Sequence, residues 1–189
     1  MSRGLIIAKN QETIESISTM LKDAGVKEIF TSTNSAQAHE LIEGESIDLI
    51  VLITPLEVEF GLELIADLHS KTDAGIIVLT KSDICEEVQD KIRFTGAFVL
   101  GRPVSKQVFL QTIKFALIAS EEIHKLKVQT NKLEQKLDDI KLIDKAKCCL
   151  IEYLRLTEAQ AHRHIQKQAM DLRKSQREIA EDILKTYMN

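Results

Sequence analysis

The chain has 189 residues, 44% of them hydrophobic and 29% charged, with a formal charge of −4; that is the composition of a folded globular protein and excludes a disordered one. The length suits a domain of roughly 115 to 120 residues with a small satellite. No apolar run approaches the ~18 residues of a membrane span, and the start, Met1 to Lys9, has too short an apolar stretch for a signal peptide, so the expectation is a cytoplasmic protein without a membrane partner.

In chain order, two hydrophobic periods alternate over the first 115 or so residues. Short apolar runs at Leu5 to Ala8, Glu28 to Thr31, Leu49 to Ile53, Ile76 to Thr80 and Phe98 to Leu100 predict buried parallel strands. Between them, Ile14, Ile17, Met20 and Leu21, then Ala36 to Leu41, Leu62 to Leu68, Val88 to Phe94 and Phe109 to Leu117 carry helical spacing. Five such units predict an α/β fold, a flavodoxin-like doubly wound five-stranded parallel sheet with helices on both faces, over residues 1–118.

Beyond the fifth strand the pattern is helical. A heptad frame places Ala116, Ala119, Ile123, Leu126, Thr130, Leu133, Leu137 and Ile140 at alternating a and d sites, which predicts a coiled-coil linker helix over 119–140 and a homodimer through Ala119, Ile123, Leu126, Thr130, Leu133, Leu137 and Ile140. A helix packed on its own sheet domain fits the same spacing. Thr130 at an a site weakens the seam.

Two capping boxes, Thr157-Glu158-Ala159-Gln160 and Ser175-Gln176-Arg177-Glu178, mark the starts of two further helices. Ala161, Ile165, Ala169 and Leu172 form an apolar face on the first, and Ile179, Ile183 and Leu184 one on the second. With Ile143, Ala146, Leu150 and Leu154 they predict a three-helix bundle over 141–189.

Charge is unevenly spread. From Lys141 onward ten Lys/Arg face seven acids, a balance of +3 that leaves −7 for the rest of the chain. A basic module behind an acidic body suits a polyanionic partner. Arg163, Lys167 and Lys174 have the spacing of one exposed face opposite Ala161 and Ile165, and Arg173, Lys145 and Lys147 extend it. Such cations contact phosphates, while His164, Gln168 and Arg163 have the chemistry to read or stack on loop bases. A merely solvated face has the same composition.

The chain offers little catalytic chemistry. There is no Gly-rich phosphate loop, no nucleophile with a paired base and no metal-ligand spacing; the five His (His39, His69, His124, His162, His164) are scattered. No catalytic residue, cofactor or metal is expected. Of the three Cys, Cys148 and Cys149 are adjacent, so the set is no disulfide framework and predicts small buried side chains.

Residues 3 to 118 resemble the receiver domain of two-component response regulators. Thr80 ends the fourth strand where receivers place Ser or Thr, Gly61 follows the third, and Gly96-Ala97 with Arg102-Pro103 echoes the Gly-Ala and Lys-Pro pair around the fifth. The resemblance also shows what is missing. The acid pair after the first strand is Ala8 and Lys9, the phosphoacceptor position is Ile53, the lysine is Arg102, and the aromatic position before it is Val99. Ile53 has no nucleophilic atom, and Ala8 and Lys9 cannot supply hard oxygen ligands. Asp48 precedes the strand, and Glu57 and Glu59 follow it out of register. The domain is expected to be a pseudo-receiver in which Thr80 and Arg102 are structural remnants.

Ala146-Lys147, Glu158 to Ala161 and Ala169-Met170 resemble the Ala-Lys, Glu-x-x-Ala and Ala-Met signatures of the ANTAR domain, over about residues 130 to 187, with Cys148 where a Gly usually stands. The resemblance implies a dimeric transcription antitermination regulator that binds hairpins in nascent mRNA and prevents a terminator from forming. The competing expectation is a protein-binding adaptor that recruits a sensor protein and does not touch RNA.

Overall fold

The computed structural model describes residues 2–56 and 61–187. They form two compact units, Met1–Leu126 and Lys127–Asn189. The expected boundaries at 118 and 140 both fall inside one continuous helix.

The first unit is a five-stranded parallel sheet in the order β2-β1-β3-β4-β5, built from β1 (Arg3–Ile7), β2 (Glu28–Ser32), β3 (Leu49–Ile53), β4 (Gly75–Lys81) and β5 (Phe98–Arg102). Helices α1 (Gln11–Asp23), α2 (Ser35–Gly44), α3 (Leu62–Lys71), α4 (Cys85–Ile92) and α5 (Lys106–Leu154) follow the strands in turn. All five residues of β3 are buried, because it is a central strand covered on both faces. Side chains alternate along it: Ile50 and Leu52 join Leu5, Ile7, Ile65, Leu68 and Val88 in one core, and Leu49, Val51 and Ile53 join Ile6, Leu21, Phe109 and Ile113 in the other. Each such Ile or Leu contributes roughly 1.5–3 kcal/mol relative to an exposed one.

Close approach fixes where α5 sits on its own unit. A Cβ on Gly75, the first residue of β4, would collide with the Ala116 carbonyl, so any larger residue there would push the helix away. Ala116 is fully buried in that contact. It fits the heptad frame in sequence yet belongs to the sheet core, and the exposed part of the seam starts after it. Ala119 is half-buried, Ile123 is 42% exposed, and Leu126, Leu133, Leu137 and Ile140 are 55–61% exposed. Thr130 is also exposed.

The second unit closes the C-terminal turns of α5 against α6 (Glu158–Leu172) and α7 (Gln176–Tyr187). Ala146, Cys149, Leu150, Ala161, Ile165, Ala169, Ile179, Ala180 and Ile183 make its core, with Ile143 and Leu184 packed at the edge. Two expected core residues do not join it: Leu154 and Leu172 are the last residues of their helices and are largely exposed. The cysteines also divide. Cys149 is buried and Cys85 half-buried, whereas Cys148 is exposed, contrary to the expectation. No described helix is long and apolar enough to cross a membrane.

Candidate nucleic-acid interface and the receiver edge

At the C-terminal edge of the sheet, the positions that carry phosphoryl chemistry in receivers are apolar or already engaged. Ala8 is fully buried, and Ile53 is buried in the core shared with α1 and α5. Lys9 is exposed. The Arg102 guanidinium donates from Nη2 to the Thr54 carbonyl at 2.7 Å, tying the end of β5 to the end of β3. The hydroxyls of Thr54 and Thr80 and the Nε of Arg102 are buried, and none has a hydrogen-bond partner among the described residues. Asp48 lies at the opposite edge, where its carboxylate accepts from the Arg3 backbone N–H at 2.8 Å. Glu57 and Glu59 lie outside the described residues. Among the described residues, no group of three or more His, Cys, Asp or Glu is placed to hold a metal ion.

In the C-terminal unit both capping boxes form. The Thr157 hydroxyl accepts from Gln160 N–H at 3.3 Å while Gln160 Oε1 accepts from Thr157 N–H at 2.9 Å. The Ser175 hydroxyl accepts from Glu178 N–H at 3.2 Å, and Glu178 Oε2 accepts from Ser175 N–H at 2.7 Å. That backbone hydrogen bond, followed by the one from the Ser175 hydroxyl, holds the Glu178 carboxyl below its ordinary range. These pairs satisfy free donors at the two helix starts and fix the turns between α5, α6 and α7.

The cations differ sharply in what they have left to offer. Lys147 lies in a clamp, its Nζ 2.7 Å from Asp144 and 3.3 Å from Glu158, with its side chain only 16% exposed. The hydrogen bond to Asp144 leads in raising its pKa. Lys174 pairs with Asp182 at 2.8 Å. It also lies off the expected face, because α6 ends at Leu172 and Arg173 turns left-handed with φ of 53°. Arg177, absent from the expected site, bridges Asp139 of α5 at 2.6 Å and Glu181 at 3.1 Å; its i,i+4 spacing from Glu181 was the available sequence signal. By contrast, Arg163 and Lys167 are exposed, and no salt bridge to either is formed among the described residues. Lys145 and Arg173 are likewise exposed.

Helical geometry divides the α6 residues. Arg163, Gln166, Lys167 and Met170 follow i, i+3, i+4, i+7 and share one stripe. His164 and Gln168 are each one residue further on, so about 100° round the helix from Arg163 and Lys167, and both are half-buried. The structure therefore does not bring His164 and Gln168 onto the face of the two unpaired cations.

Residues 131–184 match the family model described as the ANTAR domain. This unit is an ANTAR domain. Over 189 residues the chain is 29% identical to "Transcriptional regulatory protein PdtaR" of Mycobacterium tuberculosis, with 97% of this chain and 90% of that protein covered. The first unit has the receiver fold. It is similar to a response regulator receiver domain protein from Clostridium thermocellum, with TM-score 0.59, 17% identity, and 65% of this chain and 99% of that one covered. It is also similar to a CheY-like receiver domain protein from Methanospirillum hungatei, with TM-score 0.58, 22% identity, and 65% and 98% covered.

The ANTAR signature residues now have separate physical roles. Ala146 and Ala161 are fully buried and let α5 and α6 approach, while Lys147 and Glu158 close an ion pair across the same junction. Ala169 is buried too, but its neighbour Met170 is 79% exposed, which packing within the ANTAR bundle does not explain.

Proposed function

We propose that the chain is a transcription antitermination regulator that acts as a homodimer in the cytoplasm. Its ANTAR domain binds hairpins in nascent mRNA and keeps a terminator from forming. The observation that carries this reading is the α6 stripe, where Arg163 and Lys167 are exposed and form no salt bridge among the described residues. RNA phosphates are the natural counter-charge for such a surface, and Lys145 and Arg173 add exposed cations on the same unit. The relative's name, a transcriptional regulatory protein, agrees with it.

The dimer rests on the linker heptads over 119–140, whose Leu126, Leu133, Leu137 and Ile140 remain more than half exposed in one chain. A second helix in register covers such a seam. The receiver-fold domain, 1–118, is not phosphorylated at the usual position, since Ile53 offers no carboxylate. A gel-shift titration with a tandem-hairpin leader RNA against a scrambled RNA tests the reading: preference for the hairpins supports it, and equal binding rejects it.

A second reading, an adaptor controlled by a sensor protein, is favoured by Phe94. It is 81% exposed on the receiver-fold unit, with the Arg93 guanidinium 4.5 Å from its ring centroid, a combination common at protein interfaces. A pull-down in the presence of ribonuclease that returns a sensor protein, from a chain with no hairpin preference, would select it.

A further inference from the structure

Met170 borders an open groove of about 510 Å³ between α6 and α7, lined also by Gln166, Ala169, Lys174 and Gln176. That volume is within the ~300–1,000 Å³ typical of small-ligand pockets. Gln166 and Met170 belong to the same i, i+3, i+4, i+7 stripe as the unpaired Arg163 and Lys167, so the groove and the exposed charge address one partner.

We infer that this groove receives one unpaired purine of the bound RNA loop, a step that rests on the RNA-binding reading above. The chemistry of the lining supports this occupant in three ways. Met170 supplies a polarisable apolar surface for the face of a base. Gln166 and Gln176 each present an amide donor and acceptor side by side, the pairing that a purine edge, adenine above all, can meet with two hydrogen bonds. Arg163 and Lys167 lie beside them to hold the neighbouring phosphates. Lys174 is engaged with Asp182 at 2.8 Å and forms a wall of the groove. A purely apolar protein helix would gain nothing from the two amides and would leave them unpaired. Met170 is thereby given a reason to be exposed.

The test uses the full chain, the tandem-hairpin RNA, and a set of RNAs in which each loop purine in turn is replaced by an abasic nucleotide. Wild type should bind one abasic RNA at least roughly tenfold more weakly than the intact one, as expected for losing a bidentate contact. In the Gln166→Ala/Met170→Ala double variant that ratio should fall close to one, with affinity for the abasic RNA and its salt slope unchanged because Arg163 and Lys167 remain. Both side chains are exposed, so the bundle should persist, and circular dichroism checks it; Gln176→Ala gives an independent reading from α7. If wild type prefers hairpins but no abasic position matters, or if the variants discriminate as strongly as wild type, the groove is not the base site and RNA binding still stands. If wild type shows no preference for hairpins at all, both inferences fall.

Discussion

The Lys147 ammonium is 3.3 Å from the Glu158 carboxylate, across the junction between α5 and α6. Asp144 holds the same nitrogen at 2.7 Å, so this lysine is committed to the bundle even though its position in an ANTAR signature suggests a ligand contact. Exposed ion pairs contribute about 0–1 kcal/mol, and the packed stem adds to that. Lys147→Met keeps the stem and should lower stability by roughly 0.5–1 kcal/mol by that measure. Thermal unfolding measures it. Salt slopes of RNA binding should change little, and a loss of about one from the slope would return Lys147 to the phosphate-contacting set.

Arg163 and Lys167 should behave in the opposite way. Both side chains are exposed and in the proposed function contact phosphate, so Arg163→Ala and Lys167→Ala should leave thermal stability nearly unchanged. Each should reduce the slope of log affinity against log salt by about 0.7–0.9. Filter binding over a salt series reads this directly, and unchanged slopes for both would remove α6 from the interface.

Acid should loosen α7 through its cap. The Glu178 carboxyl accepts from the Ser175 backbone and hydroxyl and is held below its ordinary value of 4.5, so the native state binds its proton less readily than the unfolded state. The stability linked to this group is present above the unfolded value and is lost as pH falls through the lower folded value. Asp182, lowered by Lys174, acts in the same direction. Unfolding temperature should fall as pH drops below about 4.5, and Glu178→Gln should show a shallower fall. An equal fall in the variant would assign the effect to other carboxylates.

The seam gives a prediction about assembly. Leu133→Lys with Leu137→Glu puts charge on the proposed dimer seam, and sedimentation should show wild type as a dimer and these chains as monomers at the same concentration. Thr130→Ile should tighten the dimer by roughly 1 kcal/mol or more, since an a-site β-branched aliphatic replaces a hydroxyl. A monomeric wild type would remove the coiled coil from the account.

Ile53 tests the receiver edge. With its side chain buried in the core, Ile53→Ala should cost about 2–4 kcal/mol. Ile53→Asp should be worse and should still not accept phosphate from acetyl phosphate and magnesium, because Ala8 and Lys9 provide no metal ligands. Incorporation of label into Ile53→Asp would show that the edge retains more of its chemistry than its residues allow.

The sheet and the bundle were legible because period and capping residues report local structure. Strands of Ile, Leu and Val at β1, β3 and β4, and the boxes at Thr157 and Ser175, need no knowledge of distant neighbours. Leu154 and Leu172 were misplaced because an apolar spacing does not say where its helix stops, and each is the last residue of its helix and exposed. Lys174 left the α6 face for the same reason, once Arg173 turned left-handed. Ala116 obeys the heptad but is claimed by Gly75, a contact 41 residues away in the sequence. The candidate site was half legible. Composition counts cations; only tertiary structure shows that Asp144, Asp182 and Asp139 occupy three of them and leave Arg163 and Lys167 exposed.

The most direct measurement compares wild type with an Arg163→Ala/Lys167→Ala chain for binding to tandem-hairpin and scrambled RNA at one near-physiological salt concentration. Wild type should prefer the hairpins, and the double variant, while still folded, should lose most of that affinity. Equal binding of wild type to both RNAs, or a double variant that binds hairpins as tightly as wild type, would contradict the proposed function.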